Sequence, residues 1–149
     1  MKIRYVVANE DVCIGCRLCE IACVVEHSKT KDIVKAYKFE EKRPLPRSHV
    51  EENGPVSLSI TCRHCDDPRC VAACITGAMR KGEDGRVTVD IEKCVGCWSC
   101  VMACPYGSVG MDRDDRKSVK CDLCGDREIP ACVEACPNRA LIVVEEEAG

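Results

Sequence analysis

The sequence predicts an α+β fold in which short strands and short helices gather around bound metal instead of a large apolar core. Three observations predict it. Cysteine makes up 16 of the 149 residues, about 11%, beyond the share at which a short chain still reads as an ordinary globular domain. The cysteines fall into four groups of four with none left over. The segments around those groups repeat one another.

The core is short of material. The hydrophobic content of 46% counts the cysteines; without them it is about 36%. Aromatic residues are Tyr5, Tyr37, Phe39, Trp98 and Tyr106 alone. A chain of this length normally buries Leu, Ile, Val and Phe, so groups held by cysteine must supply part of the interior. The formal net charge of −3 offers no basic field for nucleic acid. No apolar run approaches the ~18 residues of a membrane span. The opening MKIRYVVANEDVCIGC has no extended apolar h-region and no twin-arginine pair. The expected compartment is therefore the cytoplasm, unless a partner with a signal carries the chain elsewhere.

Spacing narrows the chemistry. The groups are Cys13, Cys16, Cys19, Cys23; Cys62, Cys65, Cys70, Cys74; Cys94, Cys97, Cys100, Cys104; and Cys121, Cys124, Cys132, Cys136. The first and third read C-x2-C-x2-C-x3-C, the bacterial ferredoxin run for a [4Fe–4S] cluster. The second and fourth keep the same ends with a stretched middle. A cubane needs thiolates from several directions, and cysteines at i, i+3 and i+6 of an irregular loop can wrap three irons. The fourth cysteine, on a following helix, points at the other cluster of a pair. Proline follows it twice, at Pro105 and Pro137, and turns the chain away.

Other uses of cysteine fit less well. Dense cysteine in a reducing compartment means metal more often than disulfide, and eight disulfides at this spacing would need strained rings. Zinc is the stronger competitor, above all at the fourth group, since four-thiolate zinc takes two separated C-x-x-C knuckles. The first and third groups crowd three cysteines into seven residues, a poor fit to one tetrahedral ion. One zinc or [3Fe–4S] site among the clusters is a variant of the same scheme.

The elements follow from the repeat. YVVANEDVC (5–13) parallels RVTVDIEKC (86–94): apolar alternation, an acidic residue, then the first ligand. Alanine precedes the last cysteine of every group, at Ala22, Ala73, Ala103 and Ala135, which lets the backbone come close to an inorganic core. CVAACITGAM (70–79) aligns with CVEACPNRAL (132–141), and LIVV (141–144) is a further strand-like run. The unit is a strand, a cysteine loop, a short helix and a strand.

The chain resembles the four-cluster ferredoxin-type electron-transfer subunits that accompany dimethylsulfoxide-reductase-family enzymes, formate dehydrogenases, hydrogenases and carbon monoxide dehydrogenase. CIGCRLCEIAC (13–23), CRHCDDPRCVAAC (62–74), KCVGCWSCVMACPYG (93–107) and KCDLCGDREIPACVEACPNRAL (120–141) carry the resemblance. It looks most like the carbon monoxide dehydrogenase iron–sulfur protein and the small hydrogenase and formate dehydrogenase subunits. It departs from the family at Ile75, where the second motif often has proline, and in having no extension or anchor after residue 149, which argues against docking to a membrane cytochrome.

The resemblance implies two bacterial-ferredoxin-like modules, the middle one inserted into the outer. The outer module takes residues 1–61 and 110–149, and the inner takes 62–109. In the outer module one cluster takes Cys13, Cys16, Cys19 and Cys136, and the other takes Cys121, Cys124, Cys132 and Cys23. In the inner module Cys62, Cys65 and Cys70 are completed by Cys104, and Cys94, Cys97 and Cys100 by Cys74. The implied cofactors are four [4Fe–4S] clusters. The implied partner is a catalytic redox subunit of the carbon monoxide dehydrogenase, hydrogenase, formate dehydrogenase or aldehyde oxidoreductase type.

Residues 24–61 carry no ligand. They read as a helix around SKTKDIVKAYKFEEK and then a breaker-rich KRPLPRSHVEENGP, either a partner-facing loop or a solvated cover over the clusters. His27, His49 and His64 form no catalytic constellation. His64, between two ligands, is expected to modulate its cluster or to be exposed, and Trp98 to shield its cluster from water. Each oxidised cubane with four thiolates carries −2, so four would take the chain from −3 to about −11, and low reduction potentials follow. The expected function is single-electron relay between a redox enzyme and an acceptor, without catalysis by this chain. A freestanding polyferredoxin carrier and a zinc-stabilised interaction module are the alternatives.

Overall fold

The computed structural model describes residues 2–125, 127–147 and 149. Strand β1 (Lys2–Ala8) leads into the first cysteine loop and helix α1 (Leu18–His27). Helix α2 (Ile33–Lys38) and the hairpin β2 (His49–Asn53) and β3 (Val56–Ile60) follow. The middle of the chain is α3 (Arg69–Ala72), β4 (Met79–Lys81), β5 (Val87–Val89), α4 (Ser99–Ala103), β6 (Val109–Asp112) and β7 (Lys117–Lys120). Helix α5 (Ala131–Ala135) and strand β8 (Leu141–Glu147) close it. The strands make four antiparallel two-stranded sheets, β1–β8, β2–β3, β4–β5 and β6–β7. This is the α+β arrangement of short elements that the composition demanded.

The apolar alternation ahead of Cys13 forms β1, which pairs with β8 from Lys2↔Glu147 to Ala8↔Leu141. The two ends of the chain thus meet in one sheet, and Val6 and Leu141 enter a shared core. The internal repeat survives as geometry. Asn9 and Asp90, each four residues before a first ligand, use their side chains to accept from the N–H two residues on, at 3.0 and 3.1 Å. Their carbonyls accept from Cys13 N–H and Cys94 N–H, both at 3.1 Å. Past the last cysteine, Gly77, Gly107 and Arg139 occupy the same left-handed position, with φ of 67°, 62° and 52°. A buried residue then starts or precedes a strand at Ala78, Ser108 and Ala140.

Two small cores result. One gathers Val6, Cys19, Val50, Cys62, Cys121, Leu123, Cys132 and Leu141. The other gathers Met79, Val87, Cys100 and Val109, with Cys70, Cys74 and Cys104 against it. Cysteine is part of both, as the shortage of apolar side chains required.

Residues 24–61 depart from the helix-and-breaker reading. The helix is only Ile33–Lys38, capped where Asp32 accepts from the Lys35 N–H at 2.9 Å. The segment read as breaker-rich supplies β2. The alternation in β3 is inverted: Ser57 and Ser59 are buried while Leu58 and Ile60 are only half-buried. Polar residues face inward because they meet the first cysteine loop, where Ser57 Oγ donates to the Cys13 carbonyl at 3.0 Å.

Leu141 is 3% exposed in the first core. Leu141→Ala should cost about 2–5 kcal/mol and lower the urea midpoint followed by far-UV circular dichroism. A midpoint matching the parent's would show that the β1–β8 closure does not depend on this core.

Candidate metal centres

All sixteen cysteines are free thiols. The first and third groups are built alike. Arg17 and Trp98, each directly after the second cysteine, hold φ of 60° and 63° and cap the N-termini of α1 and α4. That left-handed step turns an irregular loop into a helix that carries the third cysteine, with Cys23 inside α1 and Cys104 at the C-cap of α4. Trp98 is half-buried there. Gly96 permits a close approach: a Cβ on it would collide with the Arg116 carbonyl oxygen, and its φ is 70°.

The chain brings thiols of different groups together. Cys13, Cys16 and Cys19 line one cavity with Cys136. Cys94, Cys97 and Cys100 line another with Cys74. Burial raises the Cys124 and Cys132 thiols, the latter to about 12, and the charge of Cys23 adds to both. Burial also raises Cys121, with Cys23 among its charged neighbours. The same holds for Cys65 and Cys70, where charge from Cys62 and Cys104 adds to burial. Cys16 and Cys97 are exposed, while Cys19, Cys23, Cys62, Cys94, Cys100, Cys121 and Cys132 are buried.

The surroundings are rich in donors to sulfur. Backbone N–H groups donate to Cys23 from Arg47 at 3.2 Å, to Cys136 from Ala140 at 3.2 Å and to Cys121 from Leu123 at 3.3 Å. Others reach Cys62 from His64, Cys74 from Met79 and Cys94 from Ser118, each at 3.4 Å, and Cys124 from Ala131 at 3.5 Å. Hydroxyls add to these: Ser118 Oγ lies 3.1 Å from Cys100 Sγ, Ser108 Oγ 3.3 Å from Cys104 Sγ, and Ser59 Oγ 3.5 Å from Cys19 Sγ. Burial opposes ionisation of Cys74, but Met79 N–H and the Thr76 hydroxyl outweigh it and bring the thiol down to about 7. Such donors stabilise anionic sulfur and tune a bound centre.

These residues fit an iron–sulfur cluster. Four thiols line each of two cavities, and donors already face the sulfurs. His64 gives a further sign. It is fully buried in a left-handed turn with φ of 45°. Its Nδ1 accepts from the Val87 N–H at 3.0 Å, which puts the proton on Nε2, and that buried atom has no protein partner. Burial, then the charge of Lys120, lowers His64 to about 3. His64 is therefore neutral and inside, not at the surface.

Sequence reasoning missed a polar cluster beside Cys23. His27 Nδ1 lies 3.7 Å from Cys23 Sγ, and His27 Nε2 lies 3.0 Å from Asp122 Oδ1. Arg47 Nη1 pairs with Asp122 Oδ2 at 2.7 Å. Burial opposes the charge on His27, yet Asp122 and Cys23 raise it to about 9. Burial likewise opposes ionisation of Asp122, but His27 and Arg47 hold it well below the usual carboxylate range. Asp122 stands between two ligands of the fourth group, the one sequence signal that pointed here.

Comparison with known proteins agrees with this chemistry. Residues 56–146 match the 4Fe-4S dicluster domain, and residues 10–25 match a 4Fe-4S binding domain. The chain belongs to the 4Fe-4S dicluster family. Members like it include "Electron transport protein HydN" of Escherichia coli K12, 39% identical over 158 aligned positions that cover 95% of this chain and 88% of that one. A subunit of the "Anaerobic dimethyl sulfoxide reductase" of the same organism is 40% identical, covering 87% of this chain and 67% of its own length. "Iron-sulfur protein" of Rhodospirillum rubrum is 37% identical over 95% of this chain and 82% of its own. A component of the "Active site complex BamBC of Benzoyl Coenzyme A reductase as isolated" shares the fold, with a TM-score of 0.55 at 21% identity, covering 100% of this chain and 81% of its own. This dicluster-family chain is thus an iron–sulfur electron-transfer protein, like the relatives named as an electron transport protein and a reductase subunit. Among its described residues no helix is long and apolar enough to cross a membrane.

Gly96→Ala should cut iron per chain in anaerobically purified protein, because both its φ and the Arg116 carbonyl oppose a Cβ. Gly54 shares a positive φ of 61° but has nothing within 4 Å of a Cβ, so Gly54→Ala should load iron like the parent. Equal iron in both variants would discount the close approach.

Proposed function

We propose that the chain holds four [4Fe–4S] clusters and relays single electrons between a catalytic redox subunit and an acceptor. The observation that carries this reading is that Cys136 joins the first group in one cavity and Cys74 the third in another. Sharing of the fourth cysteine between groups is what paired clusters require. The ligand sets are then Cys13, Cys16, Cys19 and Cys136; Cys121, Cys124, Cys132 and Cys23; Cys62, Cys65, Cys70 and Cys104; and Cys94, Cys97, Cys100 and Cys74. Each bound cubane supplies a one-electron site. The protein's part is to hold the thiolates, direct amides at them and exclude water. The outer module is residues 1–61 and 110–149 and the inner module is 62–109, with β7 of the outer packed on the inner, since Ser118 on β7 donates to Cys94 from its N–H and lies beside Cys100.

The exposed Cys16 and Cys97 belong to different modules, so each module brings one cluster edge to the surface. A relay needs two such edges, because electron transfer falls steeply with distance. The partner in this reading is an oxidoreductase subunit of the carbon monoxide dehydrogenase, hydrogenase, formate dehydrogenase or aldehyde oxidoreductase type. Cysteine this dense, read as metal ligands, suits a reducing compartment such as the cytoplasm.

Anaerobically purified protein should contain about 16 iron and 16 sulfide per chain, four of each per cubane. A value near eight would remove two clusters. The metal-free chain should lack cooperative unfolding, because cysteine completes both cores; a sharp thermal transition in the apo chain would contradict this.

Shared ligation has its own test. Cys104→Ala should resemble Cys65→Ala in low-temperature EPR at matched potentials, since both damage the same cubane. Resemblance to Cys97→Ala would mean that each group binds its own cluster.

A further inference from the structure

Lys120 is 2% exposed. It ends β7 and directly precedes Cys121, where the two modules adjoin. Its Nζ donates to the Val87 carbonyl and, at 3.2 Å, to the Cys121 carbonyl. Both partners are neutral. None of the ion pairs among the described residues includes it. A buried ammonium without an anion is costly, so the protein must offer it a counter-charge of another kind.

The neighbours say which. Val87 gives its carbonyl to Lys120 and its N–H to His64, so the two basic side chains meet at one residue of β5. His64 lies between Cys62 and Cys65. The His64 backbone N–H donates to Cys62 Sγ at 3.4 Å, and Cys62 and Cys121 share one core, so Val87 and His64 connect Lys120 to the Cys62 loop.

We propose that Lys120 is a buried, fixed counter-charge for the cluster of Cys62, Cys65, Cys70 and Cys104, and that it raises the reduction potential of that cluster. This rests on the four-cluster reading. The sign follows from charge: one-electron reduction takes a cubane with four thiolates from −2 to −3, and a nearby cation favours the more negative state. Lys120 thus holds the electron in the inner module, next to the junction with the outer one.

The test is an EPR-monitored redox titration of the whole iron-loaded protein, with the cluster identified as the signal that Cys65→Ala alters. Lys120→Gln keeps a donor for the Val87 carbonyl and loses the charge; Lys120→Met loses both; Lys120→Arg keeps the charge. In the Gln and Met variants the reduced-to-oxidised ratio at the parent's midpoint should fall about tenfold for this one cluster, a shift of roughly 59 mV to lower potential. The Arg variant and Lys38→Gln, a change at an exposed site, should titrate like the parent. An unshifted cluster in an iron-replete Gln variant would overturn the proposal, as would an equal shift in all four clusters. If Gln and Met fail to load iron while Arg loads it, the charge serves assembly of the cluster and not its potential, and the proposal falls. If all three fail, Lys120 is a packing element and the proposal falls. Parent protein lacking the Cys65-dependent signal would instead refute the four-cluster reading, a result visible before any lysine variant is made.

Discussion

Anionic sulfur inside a small protein is the constraint on which the rest of the structure depends. Sixteen thiols sit in 149 residues, all but Cys16 and Cys97 buried or half-buried, and a thiol that ligates metal becomes a negative centre. Such centres need hydrogen-bond donors, and the cheapest donors are backbone amides. Amides face a sulfur only if the chain turns sharply around it. Left-handed residues therefore recur at fixed places, at Arg17 and Trp98 after the second cysteine and at Gly77, Gly107 and Arg139 after the last. The helices stay at one or two turns in α3, α4 and α5 because the loops claim the backbone first.

The same constraint explains the small sheets. A two-stranded sheet is marginal alone in water, and here four of them occur. Each is anchored by what lies next to it and not by its own pairing. The two cores mix aliphatic residues with cysteines, so the interior is complete only with what the cysteines hold. Folding and metal binding would then be one equilibrium, as expected for a chain of 149 residues with five aromatics.

What the sequence revealed follows from how local each signal is. Cysteine spacing and the parallel between residues 5–13 and 86–94 were legible because each depends on a few neighbouring residues. The β2–β3 hairpin was not. Its serines point inward toward sulfur and the first cysteine loop, so the usual rule of apolar inside and polar outside hid it. Lys120 and His64 were hidden for the same reason. A lysine beside a cysteine reads as exposed, and only tertiary packing against Val87 encloses it. The Arg47–Asp122–His27 cluster joins three distant segments, and no local pattern encodes that.

The two modules share a repeat but differ in what surrounds their sulfurs, and this difference is where function can be adjusted. Near Cys23, positive His27 and Arg47 are answered by Asp122, so charge is largely balanced within the protein. Lys120, by contrast, has carbonyl partners, at Val87 and Cys121. Residues 47–61 add hydrogen bonds to Cys19 and Cys23 on the outer side alone. Clusters with identical thiolate ligation differ in potential through such second contacts and burial. In the proposed four-cluster reading, a duplicated unit would thereby acquire unequal steps, and equal ligand sets would form a graded path for an electron.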